Sequence, residues 1–146
     1  MKPFFDASTI SLLEKVAIFG ERRHEVLAGN VANINTPNYR MRDLPVDAFR
    51  NALTQAVKQQ QESEQSPDSL GSAEKSAKKS IDELFPHTLF DAVKSPPANI
   101  TFQDANNRSV EQQVMELTKN NMMQNFAIEL MRAQYGMLQT AISERL

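Results

Sequence analysis

Hydrophobic residues recur at helical spacing near the start of the chain, over residues 9–34. They lie mostly three or four positions apart, and the charged run Glu21–Glu25 falls on the opposite face. This spacing predicts an amphipathic helix. Pro37 disfavours the α conformation at the residue before it, so we expect the helix to end near Asn35. The expected packing positions of this helix are Leu13, Val16, Gly20, Arg23, Leu27, Asn30 and Ile34.

A longer pattern of the same kind occupies residues 110–144. Its positions alternate by three and four without a break, which is typical of a heptad seam. Two of the positions, Asn121 and Gln124, are polar, and the others are apolar or aromatic. The expected seam consists of Val114, Leu117, Asn121, Gln124, Ile128, Met131, Tyr135, Leu138 and Ile142.

Two long amphipathic helices at opposite ends of a short chain are able to pair with each other. The predicted fold class is therefore mainly α: an antiparallel two-helix coiled-coil hairpin formed by the N- and C-terminal helices, with a variable, partly disordered middle.

A second apolar stripe runs beside the heptad seam of the last helix. Its members are Met115, Met122, Phe126, Leu130, Ala133 and Met137. A single partner helix covers one seam and not a face this broad, so the remaining apolar surface needs another partner. We expect that partner to be a second copy of the chain or a homologous subunit.

The chain changes character after a shorter second helix. Pro45 suits a first helical position, and Phe49, Leu53 and Val57 follow on one face at a spacing of four. Residues 58–80 are rich in Gln, Ser, Glu and Lys and have little apolar surface to bury, which predicts a disordered linker. The competing interpretation is that the first linker residues continue the helix.

Residues 81–109 have a mixed pattern. It predicts helical turns broken at Pro86 and a short strand over residues 100–102. The expected division of the chain is residues 1–57 (helix, turn and short helix), 58–80 (linker), 81–109 (irregular) and 110–146 (heptad helix).

Composition removes several classes of function. The 146 residues include no Cys, which excludes disulfides, thiol catalysis and Cys-based metal centres. The 16 basic and 18 acidic residues give a net charge of −2, so there is no electrostatic basis for nucleic-acid binding. The histidines His24 and His87 are far apart, and no acidic pair has a neighbouring base or nucleophile. We therefore expect no enzyme activity, no cofactor and no metal.

The chain also lacks the sequence marks of membrane insertion. No run approaches the roughly 18 apolar residues that a spanning helix needs, and the N-terminus has no apolar region of a cleavable signal. We expect no direct membrane span, and either a cytoplasmic location or export by a route that leaves the N-terminus uncut.

A more specific pattern follows the first helix, over residues 27–40. It resembles the N-terminal signature of flagellar basal-body rod and hook proteins, Asn-x-Ala-Asn-x-x-Thr-Pro-Gly-Tyr. The matching positions are Asn30, Ala32, Asn33, Thr36, Pro37 and Tyr39. Asn38 stands where the family has Gly. Because Asn tolerates a positive φ better than most residues, we still expect the turn to form.

The resemblance covers about residues 9–57 and 104–146 and is nearest to the short proximal-rod subunits. It implies a structural subunit of the proximal rod, a helical tube that transmits torque and encloses the export channel. The implied partners are other copies of the chain, homologous rod subunits, inner-membrane ring and rod-adaptor proteins, and the flagellar type III export apparatus. The implied location is the periplasmic rod of the basal body, reached without a cleaved signal peptide.

The resemblance also implies roles for two sets of residues. The polar motif residues would fix the chain reversal and hydrogen-bond a neighbouring subunit. The apolar seam positions would serve helix packing and assembly. The assembly set consists of Leu13, Val16, Leu27, Ile34, Val114, Leu117, Ile128, Met131, Tyr135, Leu138 and Ile142.

A different class of protein also fits the pattern. A cytoplasmic helical chaperone or adaptor would use the Met-rich stripe to bind its targets, as Met-rich surfaces often do. Such a protein should remain a small, well-folded oligomer, whereas a rod subunit should become more helical on assembly.

Overall fold

The fold is built from two long helices, one intermediate helix and several short elements. The computed structural model describes residues 7–65, 80–94 and 109–143. The helices are α1 (Ala7–Ala32), α2 (Val46–Gln65), α3 (Ile81–Leu84) and α4 (Val110–Ser143), and a 3₁₀ turn spans His87–Phe90. The strands β1 (Arg42–Asp43) and β2 (Val93–Lys94) pair antiparallel, with Arg42 opposite Lys94.

Helices α1 and α4 form an antiparallel hairpin, as the sequence predicts. Asn30 near the end of α1 lies beside Gln113 near the start of α4, while Gly20 lies beside Gln124. The residue numbers therefore fall along α4 as they rise along α1. At this register Ala7 lies opposite about residue 135, so the last two turns of α4 extend past the described part of α1.

The apolar core lies mainly between α1, α2 and the short elements that follow α2. Phe19 is fully buried and stacks on Phe49, with ring centroids 3.9 Å apart, while Phe85 and Phe90 pack at an angle around Phe49. Among the described residues, Ala127 is the one fully buried α4 side chain in this cluster. The core is thus closed largely without α4, which joins the fold through its contact with α1.

The structure corrects the predicted linker over its first eight residues. Helix α2 continues to Gln65, so residues 58–65 are helical, as the competing interpretation had it. Gln and Glu have good helix propensity, and the Gln60 amide donates to Thr9 Oγ1 of α1 at 2.7 Å. The remaining linker residues, 66–79, lie outside the described part of the chain, as does the strand predicted over residues 100–102.

The other helix boundaries agree with the sequence within three residues, and the break at Pro86 separates α3 from the 3₁₀ turn. On α2 the apolar face is rotated slightly from the prediction. Ala52 and Ala56 join Phe49 in the core, whereas Val57 is exposed. The two-residue strand pair was not predicted, because neither segment has an alternating pattern long enough to mark a strand.

Candidate functional site

The side chain of Asn30 connects the end of α1 to the strand that follows the turn. Its Nδ2 donates to the carbonyl oxygen of Arg42 at 2.6 Å, and its Oδ1 accepts from the Arg42 N–H at 3.1 Å. Tyr39 Oη also donates to Asn30 Oδ1, at 3.2 Å. The buried amide therefore pairs with Arg42 as a neighbouring strand would, and it holds β1 against α1.

The turn between α1 and β1 is closed by its own polar side chains. Asn33 Nδ2 donates to the Gly29 carbonyl at 2.9 Å, and Thr36 Oγ1 donates to Asn33 Oδ1 at 3.3 Å. Asn38 has φ 60°, the left-handed conformation expected of the residue at the family's Gly position. The motif thus builds the chain reversal that the sequence predicts.

The expected hydrogen bond from Asn30 to a neighbouring subunit is wrong. Asn30 is buried, and both its Nδ2 and its Oδ1 are hydrogen-bonded within the chain. It therefore has no free group with which to bond another subunit. Thr36, Pro37 and Asn38 are exposed, as is Ala32 at the end of α1. For these residues contact with another subunit stays a proposal.

An ion cluster around the buried Arg23 joins α1, β1 and α4 beside Asn30, with its two carboxylates partly exposed. Arg23, whose side chain is 8% exposed, donates from Nε and Nη2 to the two carboxylate oxygens of Asp43 at 2.9 and 2.8 Å. Nη2 also donates to Glu116 Oε2 at 2.9 Å. The arrangement holds a guanidinium out of water with a bidentate partner, which is its strongest geometry.

The charges of this cluster shift the ionisation of two of its members. The hydrogen bond with Asp43 raises the pKa of Arg23, against the opposing effect of burial. Burial raises the pKa of Glu116, but hydrogen bonds from Arg23 and Lys119 outweigh it and leave that pKa below its ordinary value. The sequence reasoning counted Arg23 both in the outward charged run and among the packing positions, and the structure favours the second. It gave no signal for the partners of Arg23, since Glu116 lies 93 residues away.

The face of α4 that meets α1 agrees with the predicted seam in part. Leu117, Gln124 and Met131 of the seam are half-buried, and Asn121 Oδ1 lies 3.1 Å from His24 Nδ1 of α1, but the most buried positions are displaced by one residue. The buried α4 residues are Gln113, Asn120 and Ala127, each one position before Val114, Asn121 and Ile128 of the prediction. The polar residues at 113 and 120 belong there because they bond α1: Asn120 Nδ2 donates to the Gly20 carbonyl at 2.7 Å, and Gln113 lies beside Asn30.

Several predicted seam residues therefore lie outside the hairpin contact. Val114, Tyr135 and Ile142 are 50%, 57% and 68% exposed. Val114 is on the wrong side of the displaced seam, while Tyr135 and Ile142 lie at or past the point where the described part of α1 begins. The remaining positions are buried (Val16, Leu27 and Ile34) or half-buried (Leu13, Leu117, Ile128, Met131 and Leu138).

The second stripe of α4 is uncovered in the folded chain, as expected. Met122 and Phe126 are 69% and 66% exposed, and Met115, Leu130, Ala133 and Met137 are exposed as well. Helix α4 thus turns a mixed polar and apolar face toward α1, with Gln113 and Asn120 buried in its first half, and leaves an apolar stripe facing solvent. An exposed apolar stripe of this length marks an interaction surface.

Other candidate sites in the described residues are weaker. An open groove of about 590 Å³ lies between α1, β1, the start of α2 and α4. Its polar lining includes Arg23, Asn30 and Asp43, whose polar atoms already pair within the chain. No three His, Asp or Glu side chains in the described residues are placed to hold a metal ion. No described helix is long and apolar enough to span a membrane.

The chain is similar over a short segment to a protein of known role. It is 51% identical over 35 residues to the flagellar basal body rod protein FlgB of Aquifex aeolicus (strain VF5). The segment covers 24% of this chain and 28% of that protein, so the match spans little more than a quarter of the relative's length. No family model and no solved structure matches the chain. The similarity suggests the flagellar rod family.

Proposed function

We propose that this chain is a structural subunit of the bacterial flagellar basal-body rod, in its proximal part. The observation that carries the proposal is the 51% identity to FlgB over 35 residues. It is supported by the chain reversal at residues 30–39, whose buried Asn30 ties the end of α1 to β1. The role is mechanical and requires no catalysis.

The exposed face of α4 supplies the contact that such a role needs. A rod is a polymer of subunits in head-to-tail contact, and each subunit must offer a surface that a different surface of its neighbour covers. The second stripe of α4, which runs from Met115 to Met137 along one face, consists of exposed apolar residues. Burial of these residues against a neighbouring subunit would favour assembly. The resulting tube would transmit torque and enclose the export channel.

The partners and the location belong to the same proposal. The neighbours are other copies of the chain and homologous rod subunits, and the inner-membrane ring and rod-adaptor proteins lie at the base. The chain reaches the periplasmic rod through the flagellar type III export apparatus.

The test is to delete the gene, restore it on a plasmid and locate the product. We expect the deletion strain to be non-motile in soft agar and the restored strain to swim. An epitope-labelled copy should co-purify with isolated basal bodies. Normal motility of the deletion strain, or absence of the labelled chain from intact basal bodies, would overturn the proposal.

The exposed Met-rich stripe also favours the second candidate, a cytoplasmic chaperone or adaptor. The two candidates differ in where the chain is found. An adaptor stays in the cytoplasmic fraction bound to its targets, whereas a rod subunit sediments with the basal body. The same fractionation therefore decides between them.

A further inference from the structure

The aromatic core and helix α4 are nearly separate in their packing. The core cluster joins Leu12, Val16 and Phe19 of α1 to α2 and to the short elements that follow it. Of the described residues in and around this cluster, only Ala127 and Met123 belong to α4. Removal of α4 would therefore leave most of the contacts around Phe19 in place.

The surface by which α4 holds α1 is more polar than that core. Gln113, Asn120 and Gln124 all contact residues of α1. An apolar contact stabilises a fold in proportion to the area it buries, whereas hydrogen bonds exchange with water and add little net free energy. The contact between the two helices is therefore weaker for its area than the contacts of the core.

Two polar residues that contact α4 have their stronger partners elsewhere. Asn30 bonds both the N–H and the carbonyl of Arg42, whereas its bond to Gln113 of α4 is 3.4 Å long. Arg23 makes two hydrogen bonds to Asp43 and one to α4. The turn, β1 and the guanidinium would therefore keep most of their hydrogen bonds if α4 moved away.

Two side-chain oxygens of α4 are buried at a cost to the closed hairpin. Asn120 Oδ1 and Gln134 Oε1, two heptads apart, accept no hydrogen bond from the described part of the chain. A buried acceptor without a donor is unfavourable, and it regains its hydrogen bonds to water when the helices separate. This gain lowers the free energy that separation requires.

We propose that α4 separates from α1 as a unit while the core around Phe19 and Phe49 stays closed. A protein opens locally where an element is held less firmly than the rest, at a free energy below that of global unfolding. The open state exposes the inner face of α4 in addition to its outer stripe. Separation thus sets how much of α4 is presented to a partner. The inference follows from the packing and does not rest on the proposed function.

Native-state hydrogen exchange of the full chain measures the opening. Without the packing against α1, the α4 helix loses most of its stability and its amide hydrogens exchange. We expect residues 117–127 of α4 to open at least about tenfold more often than residues 49–56 of α2, which lie in the core. The same opening constant for both segments over a range of urea concentrations would show a single cooperative unit and overturn the proposal.

A disulfide across the hairpin tests whether separation from α1 is the opening that is measured. A Cβ on Gly20 would lie 3.2 Å from Gln124 Cβ, near the distance of about 3.8 Å in a disulfide. The chain has no other Cys. In Gly20→Cys/Gln124→Cys, oxidation should remove the difference between the two segments, and reduction should restore it. A difference that persists in the oxidised protein would show that α4 exchanges without leaving α1 and would overturn the proposal.

A variant without cysteine tests the closed core. Ala127 is 2% exposed, so Ala127→Asp places a charge in the contact between α4 and the core. We expect α4 to lose its protection from exchange while residues 49–56 of α2 keep theirs. Asn125→Asp, with the same charge at an exposed position of α4, is the matched control and should exchange as wild type does. Loss of protection in both helices of Ala127→Asp would show that the core does not close without α4 and would overturn the proposal.

Discussion

Asn120 of α4 donates its side-chain amide to the backbone carbonyl of Gly20 of α1, with an N–O distance of 2.7 Å. The bond crosses the hairpin at a glycine of α1. A Cβ on Gly20 would lie 3.2 Å from Gln124 Cβ, closer than an ordinary van der Waals contact. Gly20 therefore allows the approach, and Asn120 uses it to fix the register.

The first prediction compares two helical glycines. Gly136→Ala should raise the free energy of unfolding by about 1 kcal/mol, because Ala has the better helix propensity and nothing lies within 4 Å of the new Cβ. Gly20→Ala should bring no such gain and should lower stability, because α4 must move away and weaken the Asn120 bond. Urea denaturation measures both; an equal gain at the two sites would contradict the close approach.

The second prediction concerns the ion cluster around Arg23. Arg23→Met should lower the free energy of unfolding by about 2 kcal/mol, because Asp43 and Glu116 lose the cation between them. Arg22→Met is the control, since Arg22 is exposed and its Glu25 pair contributes little; its effect should stay within about 0.5 kcal/mol. Similar losses of stability for both variants would show that the cluster around Arg23 stabilises the fold no more than an exposed ion pair does.

The third prediction follows from the lowered pKa of Glu116. A carboxyl group whose pKa is lower in the folded state stabilises the fold above its unfolded pKa and loses that contribution as the pH falls through its folded pKa. Wild type should therefore exceed Glu116→Gln in stability at neutral pH. The difference should shrink as the pH falls below the ordinary value of 4.5. Denaturant titrations at several pH values measure it, and a constant difference would contradict the shift.

The fourth prediction concerns Asn30, whose side chain joins the end of α1 to β1. Asn30→Ala should lower the free energy of unfolding by about 2–3 kcal/mol, because it leaves the Arg42 N–H and carbonyl without their partner. Tyr39→Phe removes only one hydrogen bond to the same amide and should cost about 1 kcal/mol. The reverse order of these two losses would show that Asn30 does not hold β1 against α1.

The hairpin could be predicted from sequence because long helices leave a strong periodic pattern. Both α1 and α4 have boundaries within three residues of the expected ones, and the left-handed Asn38 followed from its place in the motif. The predicted face of α1 agrees with the structure in part. Val16, Arg23 and Leu27 are buried as expected, but Leu12 and Phe19 are buried as well and were not predicted.

The facing surface of α4 could be predicted only in part, because periodicity favours the apolar member when a polar and an apolar residue are adjacent. Gln113 and Asn120 are buried for a reason that lies on α1, where Asn30 and the Gly20 carbonyl need hydrogen-bonding partners. The apolar Val114 is exposed as a result. A pattern confined to one helix carries no information about what its partner presents.

The measurement that most directly tests the role of the α4 stripe is incorporation of two neighbouring variants into basal bodies. Phe126→Asp places a charge on the stripe, while Asn125→Asp places the same charge outside it; both sites are exposed, so both variants should fold. With equal expression, we expect Asn125→Asp to restore motility to the deletion strain and Phe126→Asp to be missing from purified basal bodies. Normal incorporation of Phe126→Asp would contradict an assembly surface on this face of α4.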